Sequence, residues 1–93
     1  MHGDPPLLGV TFSSSPAGAQ VFAVPYAVYD FDKAIVASKE RLLPFLITAG
    51  RTDVAYKLFS QKYHVVFRLG DKQSEIDLDV FKDGPSKIRV DLQ

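Results

Sequence analysis

Two carboxylate pairs at a spacing of two, Asp30/Asp32 and Asp77/Asp79, one internal histidine, His64, and the serine run Ser13–Ser15 are the side chains of this 93-residue sequence best suited to chemistry. On an extended strand alternate residues share a face, so each Asp-x-Asp pair would present both carboxylates on one side. That is the arrangement an oxygen-ligated cation such as calcium needs. No D-x-D-x-D-G loop follows either pair, so both read as the solvent faces of half-buried strands. One internal histidine and no cysteine fall short of the three or four ligands of a zinc site, and no metal is expected. The serines stand in no G-x-S-x-G elbow, and neither glycine pattern that cradles phosphates occurs. His64, between Tyr63 and Val65, reads as a strand residue rather than as the base of a Ser–His–Asp triad. No catalytic residue and no cofactor is expected, and the chain reads as non-enzymatic.

The aromatic residues offer a different chemistry. Tyr26, Tyr29 and Phe31 follow Pro25 in a run without basic residues, and they are the candidate contact patch. An exposed aromatic cluster suits a protein partner or stacking on a glycan. Lys and Arg together number 11, as do Asp and Glu, so the basic excess of a nucleic-acid binder is missing and no nucleic acid is expected. Residues 5–29 carry no charge, but Pro5, Pro6, Pro16, Pro25 and the serines interrupt them, and no transmembrane segment is expected. Composition leaves the oligomeric state open.

These residues need a scaffold. Ninety-three residues, 46% of them hydrophobic, suit one domain. Residues 1–7 read as a flexible N-terminal segment or cloning remnant, and 8–93 as a single β-rich domain. Val10 and Phe12 alternate with small polar residues and predict a strand over about 8–14. Pro16 and Gly18 interrupt it, and a second strand covers about 20–24. Tyr26–Val36 is rich in aromatic and β-branched residues and predicts another strand, with Asp30 and Asp32 on one face. Tyr63–Leu69 predicts a strand ended by Gly70-Asp71-Lys72. Ile76, Leu78 and Val80 alternate with acids, and Ile88, Val90 and Leu92 alternate with charged residues. A turn at Lys82–Ser86 predicts that the two pair as a hairpin, Leu78 against Val90 and Asp79 against Arg89. Residues 52–63 fit both an amphipathic helix and a strand, and 33–49 share that ambiguity. The expected fold is mostly β, a small antiparallel β-sandwich of about six strands. The alternative is an α+β domain with a helical hairpin at about 33–63, acting in oligomerisation or regulation.

The segment Ser14-Ser15-Pro16-Ala17-Gly18-Ala19-Gln20-Val21 resembles the opening of PEGA domains, small bacterial β-modules with an S-x-P-x-G-A-x-V signature. Leu43-Pro44, Gly50, Val54–Leu58, Tyr63 and then Glu75–Val80 look like the later order of that family, so the likeness spans about two thirds of the chain. The family's compact Asp-Gly hairpin is replaced here by Pro25–Arg41, and its Gly-Tyr pair by Lys62-Tyr63. The resemblance implies a non-catalytic accessory domain of sandwich type in bacterial envelope or surface proteins, hence an extracytoplasmic or cell-envelope location. Residues 42–58 are also similar to a helix–turn–helix unit of rhamnosidase-type α/α-barrel glycosidases, which favours the helical alternative for 33–63.

Overall fold

The computed structural model describes residues 7–84 and 86–92. The expected flexible segment 1–7 lies outside them except for Leu7, which opens the first strand. Strands make up 55% of the molecule and helix 22%, below the third of the chain that the α+β alternative requires. Two sheets pack face to face in a small β-sandwich-like fold.

The chain runs β1 (Leu7–Ser15), β2 (Gln20–Pro25), α1 (Tyr26–Phe31), a 3₁₀ turn (Lys33–Ala37), α2 (Lys39–Leu42), a second 3₁₀ turn (Leu43–Phe45), β3 (Leu46–Arg51), β4 (Val54–Phe59), β5 (Lys62–Leu69), β6 (Lys72–Asp79) and β7 (Lys87–Asp91). One sheet has the order β4-β1-β7 and the other β3-β2-β5-β6. Both β1–β4 and β2–β3 are antiparallel. The first strand thus leaves one sheet and resumes in the other, and its partner does the same. The crossing falls at Pro16 and Gly18, where Gly18 takes φ +99, a conformation open to a residue without Cβ. The two chains stay joined across this break: the Thr52 N–H donates to Ala19 O and the Gly18 N–H to Thr52 O, each at 2.9 Å.

Period-two alternation places the core. Val10 and Phe12 of β1 face Tyr63, Val65 and Phe67 of β5, with Val21, Leu58, Leu78, Val90 and Leu92 completing one buried cluster. Phe12 and Phe67 meet edge-on across the sheets with centroids 6.0 Å apart, a contact worth about 0.5–1.5 kcal/mol beyond its buried area. The other face of the larger sheet carries Phe22, Val24 and Val66, which water would otherwise reach. Ile35 and Leu42 from the helical segment 26–45 bury them in a second cluster, with Tyr29 and Phe45 at its margin. The molecule therefore has three layers: small sheet, large sheet and helical cover.

Three expectations need correction. Tyr26–Val36 is not a strand but α1 and the 3₁₀ turn that follows, because the exposed apolar face of the large sheet needs a cover and tertiary burial outweighs the β propensity of this run. Asp30 and Asp32 consequently do not share a strand face. The helical hairpin over 33–63 is replaced by short helices up to Phe45 and then by β3 and β4. The hairpin joining Glu75–Val80 to Lys87–Leu92 does not form: β6 pairs with β5, and β7 lies parallel to β1, so the sandwich is not wholly antiparallel. Both segments bury their apolar residues in the same core, but from opposite layers. Alternation reports the buried face and not the partner. Seven strands are present among the described residues, in keeping with the expected sandwich of about six.

Candidate functional site

Three places collect the side chains that could act on another molecule. The first is the sheet crossing. Ser14 Oγ donates to Pro16 O at 2.7 Å and lies 2.5 Å from Thr52 Oγ1. Thr52 Oγ1 accepts from the N–H groups of Gly18 and Ala19, each at 3.0 Å. The serine proton is committed to a carbonyl, so the short contact is the threonine hydroxyl donating to Ser14 Oγ. Both side chains are buried. Every hydroxyl here is spent on holding the crossing, and the serine has no base beside it.

The second place is His64. It lies on β5 directly across the ladder from Asp77, on the face turned toward the helical cover. Its Nδ1 is 2.7 Å from Asp77 Oδ1 and its Nε2 is 2.9 Å from Glu75 Oε1. Tyr29 of α1 stacks on the ring with centroids 3.6 Å apart and planes 7° from parallel. The Gln73 amide nitrogen lies 3.0 Å from Glu75 Oε2 and 3.1 Å from Val36 O, tying the strand face to the cover. An imidazolium can donate to both carboxylates, whereas a neutral ring can donate to only one. The two ring nitrogens face opposite ways, which keeps them and the two acids from converging on one ion. Among the described residues no group of three or more His, Cys, Asp or Glu side chains is placed to hold a metal. His64 and the serines lie in different sheets, so a Ser–His–Asp triad is not assembled.

Third is the candidate patch itself, which α1 divides. Tyr26 and Tyr29 lean together at 5.8 Å on the side facing β5, where Lys62 Nζ sits 4.2 Å above the Tyr26 ring. Both tyrosines are half-buried. Phe31 stands apart, 93% exposed at the end of α1. Beside it lies an open, shallow depression lined by Ala27, Val28, Phe31 and Ile35 together with Asp32 and Arg41. Those two form an ion pair that joins the end of α1 to α2. Asp32 is thereby occupied, and Asp77 is held by His64.

The His64 cluster escapes a reading that pairs β6 with β7. One signal in the sequence points to it. A two-residue turn at Gly70-Asp71 closes β5 onto β6, with Gly70 at φ +62, and counting back from Leu69 opposite Lys72 sets His64 opposite Asp77. Among the described residues, no helix is long and apolar enough to cross a membrane. No protein-family model matches the chain, and no curated protein or solved structure matches it either.

Proposed function

We propose that this chain is a non-catalytic binding module that docks an apolar segment of a partner protein on the free side of α1. The observation that carries the reading is Phe31, an aromatic ring 93% exposed on a helix that is fixed to the sheet beneath it by Tyr29 and His64. Burying such a ring against a partner gains about 1.5–3 kcal/mol, and the helix loses little freedom because it is already held. The adjoining open depression, lined mostly by apolar side chains with the paired Asp32 and Arg41 among them, extends the apolar surface that a partner could cover. The likeness of Ser14–Val21 to the PEGA signature supports a role as an accessory module of a larger bacterial envelope or surface protein.

A photo-crosslinking amino acid in place of Phe31, in the full-length protein in its own cells, tests this against the same probe in place of Lys57, exposed on β4. The purified partner captured from position 31 is then titrated onto the module. The expected result is binding that weakens at least about tenfold in Phe31→Ser, with thermal unfolding unchanged. Equal crosslinking from both positions, or equal affinity of the serine variant, overturns the reading.

A further inference from the structure

The alternations Glu75–Val80 and Lys87–Leu92 match one another in sequence, yet the chain does not pair them. β6 closes one side of the large sheet and β7 one side of the small sheet. Each therefore has a row of backbone donors and acceptors that no strand among the described residues takes up. The exposed charges on the two edges differ in balance: Glu75, Asp77 and Asp79 on β6, with Lys72 at its start, against Lys87 and Arg89 on β7, with Asp91 at its end. Next to them Ile76 and Ile88 are only half-buried, packed against the shared core from one side.

We infer that two copies of this chain associate by pairing β6 of one with β7 of the other. β6 on β6 opposes acids, and β7 on β7, although it can set Arg89 against Asp91, leaves the acids of β6 without bases. The chain carries no net charge, so copies meet without long-range repulsion. One antiparallel register pairs two acids with two bases and opposes no like charges. It sets Asp77 against Lys87, Glu75 against Arg89, Ile76 against Ile88 and Gln73 against Asp91. A slip of two residues one way brings Glu75 against Asp91, and a slip of one turns the isoleucines to the wrong face. The bonds to His64 use one oxygen of each carboxylate, Glu75 Oε1 and Asp77 Oδ1, which leaves Asp77 Oδ2 for the incoming base. Every copy offers both edges, so the contact either closes reciprocally as a pair or propagates head to tail. The α1 surface takes no part in it.

Sedimentation velocity over a concentration series tests the inference. The wild-type chain is expected to self-associate, more weakly as salt is raised. Lys87→Glu with Arg89→Glu makes both edges acidic and is expected to weaken association at least about tenfold. Mixing that variant with Glu75→Lys/Asp77→Lys restores an assembly that neither forms alone. Because the second variant removes the partners of His64, a separate readout avoids it. In this cysteine-free chain, Gln73→Cys mixed with Asp91→Cys should give a disulfide-linked heterodimer under mild oxidation. A wild type that stays monomeric throughout overturns the inference, as does association indifferent to the Lys87/Arg89 change, or failure of the cysteine pair to link. Phe31 is untouched in these variants, so their outcome is read separately from the α1 docking surface.

Discussion

Thr52 holds more of the sheet crossing than any other side chain, although it belongs to no strand. Its hydroxyl satisfies the buried Ala19 N–H, shares that of Gly18, and donates to Ser14. Thr52→Val keeps the shape and removes all three contacts, leaving a buried donor unsatisfied at a cost of about 1–3 kcal/mol. Thr52→Ser keeps the oxygen and should retain most of the stability. Urea unfolding of the two variants checks this, and an equal loss in both would mean that the methyl group rather than the hydroxyl matters. His64 is the other residue whose environment exceeds its reading as a plain strand residue. Its place on a strand is legible from Tyr63 and Val65. Its partners are not, because they depend on which strand lies beside it.

The elements most legible in the sequence are those whose punctuation is local. β1, β2 and β5 are bounded by Pro16, Gly18 and Gly70, residues that act on their own backbone and need no knowledge of the fold. The two glycines differ in a testable way. Gly70 at φ +62 sits where asparagine is also accommodated, whereas Gly18 at φ +99 lies beyond that region, and neither has a neighbour within 4 Å of an added Cβ. Gly70→Asn should therefore cost under about 1 kcal/mol, and Gly18→Asn about 1–3 kcal/mol from the backbone alone. Thermal melts of the two variants compare them directly, and equal losses would count against the assigned conformations. The helical cover is where sequence reading fails. Tyr26–Phe31 has strand-like composition, and only the bare apolar face of the large sheet, made of Phe22, Val24 and Val66, explains why it coils back instead. The same misreading hid the split of the patch, since on a strand Tyr29 and Phe31 would share a face. On α1, Tyr29 packs on His64 while Phe31 faces water.

At the scale of the molecule, the two sheets depend on each other through a few large side chains. Phe12 and Phe67 are fully buried and touch across the layers. Phe12→Leu and Phe67→Leu should each cost about 1 kcal/mol, and the double variant should reveal a coupling of about 0.5–1 kcal/mol. Strict additivity in that cycle would show that the layers do not meet through this pair. Sandwich architecture was readable from alternation and turns, but the crossing of β1 into β2, the parallel β1–β7 pair and the third layer were not. Each of these is a choice between partners that share the same pattern. The parallel pair has a bearing on how the protein folds. Thr11 sits beside Lys87, so the first strand and its parallel neighbour are far apart along the chain. Closing so long a loop carries an entropic cost of a few kcal/mol. Until that loop closes, Val10 and Phe12 lack Val90 and Leu92 beside them in the core, so docking of β7 on β1 is a slow, long-range step of folding.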